Sequence, residues 1–293
     1  MSMTLRCLCA ALLLLISLPT IGRTEEVHYD VFVTSKDGGI VIGGFNDGDG
    51  TASVPADQLR VFGGEAIGTF NGSAPYESEA PGEPGFRAST QADLDNATKT
   101  DPAGTYTALP GGTALNFSFL PFTIGSDTRN LFFWNGTGAV AFAPVASAIT
   151  VNLQLPGGSG WIQGINGGSN GVIAGNNPIA TTGASGTIHT HLFTQIANGG
   201  SAPTQGFYLF SLGFQMTGLT DSLPIYFVYG AVDPDNVQGG TLADFETAHG
   251  AAEAWVESNL VAVPEPSSLV LAGLGGVGMA GCLVRRRLWR AER

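Results

Sequence analysis

The stretch "GFYLFSLGFQMTGLTDSLPIYFVYG", residues 206–230, decides the fold class of this chain. It contains two apolar and aromatic segments, Gly206–Met216 and Pro224–Gly230, which are separated by polar and turn-forming residues. Segments of this length that are rich in Phe, Tyr, Val and Leu, and that are bounded by Gly, Asp or Pro, are typical of β-strands. The stretch therefore predicts two strands.

The same pattern extends over most of the chain. Eight further candidate strands lie at Val27–Val33, Gly39–Phe45, Gln58–Gly63, Ala114–Phe122, Asn130–Trp134, Ala139–Ala143, Ala148–Leu155 and Gly186–Ile196. The sequence "KDGG" at residues 36–39 predicts a hairpin turn. Ten strands at this spacing favour a mainly β fold, an antiparallel β-sandwich of the jelly-roll or immunoglobulin-like type. The Gly-rich, polar segments 71–105 and 157–185 are predicted to be long loops.

One helix is expected after the last strand. Thr241 and Asp244 form a capping-box pattern, with Asp in place of the usual Glu. Apolar residues then recur at helical spacing over Leu242–Asn259. We therefore predict an amphipathic helix within residues 241–260 that docks on the sheets, with His249 packed between helix and sheet.

The N-terminal segment has the features of a secretory signal peptide. Arg6 precedes the apolar stretch Cys7–Leu18, and small residues near Gly22 offer a cleavage position. An apolar core of about 12 residues is too short to span a bilayer. We assign residues 1–23 to the signal, which implies the Sec translocon and signal peptidase as partners, and residues 24–240 to the exported β domain.

The exported part of the chain is acidic and contains no cysteine. The three cysteines are at positions 7, 9 and 282, so residues 24–262 have neither a disulfide nor a thiol nucleophile. This part carries five basic and twenty-two acidic side chains, a net charge of about −17. Such a surface repels nucleic acid and anionic membranes and suits cations.

The C-terminal segment, residues 261–293, begins with a proline corner. Val263, Pro264, Glu265 and Pro266 precede a run of 16 residues without a charge, from position 269 to position 284. The prolines keep their segment extended and outside any helix. The uncharged run predicts a short transmembrane helix whose flanking residues help it to span the bilayer.

A cluster of arginines, Arg285, Arg286 and Arg287, follows the apolar run and predicts its orientation. Basic residues remain in the cytoplasm, which places the large domain outside. The order of proline corner, apolar helix and arginine cluster resembles the bacterial PEP-CTERM protein-sorting domain. That resemblance implies anchoring in the inner membrane until an exosortase cuts near the proline corner, and then display at the cell surface or release outside the cell.

Two pairs of residues at strand spacing are candidate metal ligands. His189 and His191 alternate within a predicted strand, so both imidazoles lie on one face, about 6.5–7 Å apart along the strand. His28 and Asp30 repeat this spacing on the first strand. If the two strands are neighbours, the four side chains form a site for a zinc-like divalent ion. Hydrogen-bonded packing on a half-exposed sheet face is the alternative.

The surroundings of these histidines resemble choice-of-anchor M and other surface-anchored domains of bacteria. Such domains begin with a Gly-His-x-Asp pattern and later contain His-x-His followed by Gly-x-Tyr-x-Leu. The matching positions here are His28, Asp30, His189, His191, Gly206, Tyr208 and Leu209. The chain departs from the pattern at Val27, where the family has Gly, and at Phe193, where it has Trp. The resemblance implies metal capture.

Three functions are compatible with these observations. The leading interpretation is a non-enzymatic surface or matrix protein with a structural or adhesive role, in contact with exopolysaccharide. The second is a divalent-metal-binding surface module. The third is a secreted carbohydrate-active hydrolase, although the sequence lacks the Gly-x-Ser-x-Gly motif of a serine nucleophile and offers no catalytic residue.

Overall fold

The computed structural model describes residues 29–46, 48, 50–55, 57–68, 75–77, 83–99, 104–155 and 161–261. These residues form a mainly β structure, as predicted. In chain order the elements are β1 Tyr29–Lys36, β2 Gly39–Asn46, β3 Thr51–Val54, β4 Val61–Ile67, β5 Tyr76–Glu77, β6 Gly85–Ala88, α1 Gln91–Asn96, β7 Thr98–Lys99, β8 Tyr106–Thr107, β9 Ala114–Phe119, β10 Phe122–Ile124, β11 Asp127–Arg129, β12 Leu131–Trp134, β13 Ala143–Pro144, β14 Ile149–Gln154, β15 Trp161–Asn166, β16 Ile173–Ala174, β17 Ala180–Thr181, β18 Ile188–His191, β19 Phe193–Asn198, β20 Gly206–Gln215, β21 Ile225–Val232 and α2 Leu242–Asn259.

Most strands belong to two sheets. The smaller sheet has the order β18-β6-β1-β2-β3-β7, with β8 also paired to β1. The larger sheet has the order β13-β12-β20-β21-β4-β5-β19-β14-β15, and β9 joins it by pairing with β20, β16 and β17. Strands β10 and β11 form a separate hairpin.

The expectation of purely antiparallel sheets is wrong, because both sheets are mixed. The pairs β1–β6, β3–β7 and β4–β21 are parallel. Parallel neighbours need a long connection between them, whereas antiparallel ones can follow a tight turn. Hydrophobic alternation reports which face of a strand is buried, and it carries no information on the direction of the neighbouring strand.

A shared core lies between the two sheets. Apolar residues from β1, β2 and β6 of the smaller sheet meet residues from β20 and β21 of the larger one in a single cluster. Phe210 and Phe227 stack within it, with ring centroids 5.3 Å apart and an angle of 10° between the rings. Strand β21 is buried along its whole length because its opposite face is also covered.

Helix α2 covers that opposite face and has the bounds that the sequence predicts, Leu242–Asn259. The predicted capping box is present, with reciprocal hydrogen bonds between Thr241 and Asp244. The helix packs closely on the sheet at two glycines. A Cβ atom at Gly63 would lie 2.0 Å from Glu253 Oε1, and one at Gly230 would lie 2.8 Å from the ring of Phe245. A side chain at Gly230 would therefore overlap the buried ring of Phe245, and one at Gly63 would require the Glu253 carboxylate to move.

The predicted hairpin turn between β1 and β2 is confirmed. Asp37 and Gly38 both have positive φ, 51° and 82° respectively. Positive φ at both central residues is the geometry of a type I′ turn, which matches the twist of the strands that it joins.

Several other predictions need correction. Of the predicted strand Ala139–Ala143, only Ala143 lies in a strand, β13. The segment predicted as one strand, Gly186–Ile196, divides at the buried Leu192, so that β18 joins the smaller sheet and β19 the larger. The two segments predicted as loops also contain regular elements: β5, β6, α1 and β7 lie within residues 71–105, and β15, β16 and β17 lie within residues 157–185. These elements have only two to six residues each, too few for periodicity to reveal them.

The terminal predictions lie outside the described residues. These are the signal peptide (1–23), the proline corner (263–266), the apolar run (269–284) and the arginines (285–287). Across the described part of the chain, no helix combines the length and the apolar character needed to cross a membrane.

The capping box gives a test of how α2 is held. Two hydrogen bonds donated by Thr241 to the Asp244 carboxylate lower the pKa of Asp244. The bond from the backbone N–H has the larger effect, and the bond from the side-chain hydroxyl adds to it. A carboxyl group whose pKa is lower in the folded state stabilises the fold at pH values above its ordinary pKa. This contribution disappears as the pH falls through the pKa of the folded state. We expect Thr241→Ala to reduce the free energy of unfolding by about 1 kcal/mol at pH 7 and by less at pH 2, measured by urea denaturation.

The matched control is Thr247→Ala, an exposed position on the same helix. It leaves the cap intact, so it should not lower stability at either pH. Equal effects of the two substitutions at pH 7 would contradict the role of the cap.

Candidate metal centre

Three of the four predicted ligands come together on the outer face of the smaller sheet. Asp30 lies on β1, and His189 and His191 lie on β18. One potential metal-binding atom from each lies within 4.8 Å of the other two. The fourth predicted ligand, His28, lies outside the described residues.

The strands that carry these side chains are not neighbours, because β6 lies between β1 and β18. His191 is paired with Gly85 of β6, and Asp30 lies beside the same residue on the other side, since Val31 is paired with Phe86. A Cβ atom at Gly85 would lie 2.6 Å from Asp30 Oδ1 and 2.8 Å from His191 Nδ1. The absence of a side chain at Gly85 therefore allows Asp30 and His191 to meet across the intervening strand.

The carboxylate of Asp30 is held in a defined orientation. The residue is 2 % exposed, and its Oδ1 atom accepts a 2.6 Å hydrogen bond from the Gly85 N–H. Burying a carboxylate is costly unless donors or cations compensate for the lost water. The position thus favours a nearby positive charge.

The two imidazoles face each other. His189 Nε2 and His191 Nε2 are 3.2 Å apart, and the ring planes are inclined at 58°. One interpretation is a hydrogen bond between neutral rings, in which one nitrogen donates and the other accepts. The other is joint coordination of an ion, because Zn–N bonds of 2.0–2.1 Å at a tetrahedral angle place two nitrogens about 3.3 Å apart. His189 is exposed and His191 half-buried, so solvent reaches the site.

The basic side chain of Arg87 lies near the cluster of Asp30, His189 and His191. Arg87 is paired with His189 across β6 and β18, and its guanidinium lies over the ring of Phe45 at 3.8 Å from the centroid. Phe45 in turn is paired with Asp30. A neighbouring cation opposes the approach of a second one. Any ion at this place would therefore have to be held by directed coordination rather than by a broadly negative field.

The comparisons with known proteins concern the other end of the chain. The protein-family model of the PEP-CTERM protein-sorting motif matches residues 262–287 of the sequence. The chain carries a PEP-CTERM protein-sorting motif. No curated protein and no solved structure matches the chain.

The PEP-CTERM match confirms the resemblance drawn from the proline corner and the arginines. It includes Val263, Pro264, Glu265 and Pro266 as well as Arg285, Arg286 and Arg287. The motif implies an exported protein that is sorted to the cell surface and processed by an exosortase. It covers only the tail, so the chemistry of the β domain has to be inferred from its own residues.

Sequence reasoning missed one residue of the candidate site, Gly85. Gly85 lies in the segment "GEPGF", residues 82–86, whose Gly and Pro content indicates a turn. Its role depends on the side chains of two strands that are far away in sequence, and nothing local in the sequence reveals that.

The close approach at Gly85 can be tested by adding one methyl group. We expect Gly85→Ala to lower the free energy of unfolding by about 1–3 kcal/mol, because the new Cβ overlaps Asp30 and His191. Chemical denaturation measures the change. Gly171→Ala is the control, since a Cβ there meets no atom within 4 Å. Equal stability of the two variants would show that β6 does not bring Asp30 and His191 into contact.

Proposed function

We propose that the exported domain of this surface protein is a non-catalytic divalent-metal-binding module, with Asp30, His189 and His191 as ligands of a zinc-like ion. The observation that carries the proposal is the 3.2 Å separation of the two Nε2 atoms, beside a buried carboxylate whose oxygen lies within 4.8 Å of both rings' ligand atoms. This separation is close to the nitrogen–nitrogen distance in a tetrahedral zinc site.

The donor set indicates which ion is preferred. Two imidazole nitrogens and one carboxylate oxygen suit borderline ions such as Zn²⁺ better than Ca²⁺ or Mg²⁺, which take oxygen ligands. Three protein ligands leave a fourth position for water or for another side chain. His28, two residues before Asp30 in the sequence, remains the predicted fourth ligand.

The rest of the molecule is compatible with collecting cations outside the cell. Residues 24–262 have a net charge of about −17, which raises the local concentration of cations around the domain. The hydrogen bond from the Gly85 N–H holds the carboxylate before any ion arrives, and preorganised ligands bind with a smaller loss of conformational entropy.

A second candidate function, adhesion to exopolysaccharide, is favoured by a different surface. A cleft on the β14–β15 face of the larger sheet is lined by neutral polar groups, among them Thr150, Asn152, Gln163 and Asn166. Amides and hydroxyls both donate and accept hydrogen bonds, as sugar hydroxyls require. Such a surface offers contacts to an uncharged polysaccharide without the charge repulsion that an acidic protein exerts on anionic polymers.

Zinc binding can be measured directly. We expect His189→Ala and His191→Ala each to weaken Zn²⁺ binding at this site at least about tenfold, or 1.4 kcal/mol, and Asp30→Asn to weaken it as well. Isothermal titration calorimetry of Zn²⁺ into the purified, metal-stripped protein gives the affinities.

Thr190→Ala is the matched control, because this residue lies between the two histidines and points to the opposite face of β18. It should bind Zn²⁺ as the wild type does. If all four variants keep the wild-type affinity, or if the wild type itself binds no Zn²⁺, the histidines only form a hydrogen bond to one another.

The sorting motif leads to a separate expectation. Replacing Pro264, Glu265 and Pro266 together by alanine should prevent exosortase processing, so that the protein isolated from cells keeps its C-terminal tail. Intact-mass spectrometry distinguishes the two forms. Glu292→Gln, which lies beyond the matched residues, should be processed normally. A truncated mature protein in the triple variant would contradict the assignment of the cleavage region.

A further inference from the structure

A second cluster of potential ligands lies on the opposite outer face of the molecule, beneath α2. Glu65 of β4 and the helix residues Glu246 and His249 each offer an atom within 4.8 Å of the other two. The cluster is separate from the Asp30 site, since it belongs to the outer face of the larger sheet rather than of the smaller one.

The three side chains are carried by rigid elements. Glu246 and His249 are three residues apart on α2, so they lie on the same side of the helix. Glu65 reaches the helix from below because alternate residues of β4 face it, as the contact of Gly63 with the helix shows. Each side chain is buried or half-buried.

The tautomer of His249 is set by a backbone carbonyl. Its Nε2 atom lies 2.8 Å from the oxygen of Val228, which can only accept a hydrogen bond, so Nε2 carries the proton. The lone pair of a neutral ring is then on Nδ1. A histidine that donates one N–H to a carbonyl while the other nitrogen faces an ion is the usual arrangement in metal sites.

The ring of His249 is also fixed by packing. It is 0 % exposed and stacks on Phe207, with centroids 5.4 Å apart and an angle of 23° between the rings. A Cβ atom at Gly63 would lie 3.2 Å from His249 Cε1, so this glycine makes room for the ring. Glu253 Oε1 lies 3.8 Å from His249 Nε2, the nitrogen that carries the proton.

From this arrangement we propose a second metal site, in which Glu65, Glu246 and His249 bind a divalent ion beneath α2. Two carboxylates and one imidazole form a harder donor set than the two imidazoles and one carboxylate of the Asp30 site. The second site therefore suits oxygen-preferring ions such as Mn²⁺, whereas the first suits Zn²⁺. The bound ion links α2 to the central strand β4. This inference does not depend on the Asp30 site.

Electron paramagnetic resonance with Mn²⁺ alone as the probe tests the second site, because protein-bound Mn²⁺ loses the sharp six-line signal of the free ion. We expect the wild-type protein to bind one Mn²⁺, and Glu65→Gln and Glu246→Gln each to weaken this binding at least tenfold. Glu257→Gln removes the same charge from an exposed position of the same helix and should stay within twofold of the wild type.

The two glutamine variants preserve shape, and circular dichroism shows whether they are folded. Mn²⁺ affinities that are equal in Glu65→Gln, Glu246→Gln and the wild type would overturn the proposal, as would a wild type that binds no Mn²⁺. The cluster would then be a group of polar side chains that only fastens the helix.

A four-way comparison separates this inference from the Zn²⁺ proposal. His189→Ala should weaken Zn²⁺ binding at the first site at least tenfold and leave Mn²⁺ binding unchanged. Glu246→Gln should weaken Mn²⁺ binding at least tenfold and leave Zn²⁺ binding at the first site unchanged. Loss of both ions in the Glu246→Gln variant, with native circular dichroism, would contradict two separate sites.

Discussion

The burial of the two central strands, β20 and β21, on both faces is the constraint on which the rest of the structure depends. Their side chains are almost entirely apolar and aromatic, so each face needs a cover that excludes water. The smaller sheet covers one face, and α2 covers the other. Both candidate metal sites follow from this layering, since one lies on the outside of the first cover and the other lies beneath the second.

Features with a strong local signal could be predicted from the sequence. The bounds of α2 agree because its cap and its apolar spacing are both local, and the type I′ turn agrees because "KDGG" supplies the residues that tolerate positive φ. The mixed sheets could not be predicted, because strand direction is decided by which segments meet. The division of one apparent strand at Leu192 follows from its passage between two sheets, and a continuous apolar pattern conceals it.

The same distinction applies to the candidate sites. Asp30, His189 and His191 could be named because alternation within a strand places side chains on one face, whereas the intervening β6 and its Gly85 could not. Glu65 and His249 belong to elements almost 200 residues apart in the sequence, so no spacing rule relates them. His249 was predicted to pack between helix and sheet, and its stacking on Phe207 agrees with that. Its hydrogen bond to Val228 is a tertiary property.

Strand β18 is only four residues long and lies at the edge of its sheet in the described part of the chain. An ion shared by Asp30 and the two histidines would fasten this edge to β1, across about 160 residues of sequence. Closing so long a loop removes much conformational freedom from the unfolded chain, which is how a disulfide stabilises many secreted proteins. In an exported domain that contains no cysteine, coordination would take the place of covalent cross-linking, and resistance to extracellular proteases would depend on the supply of metal.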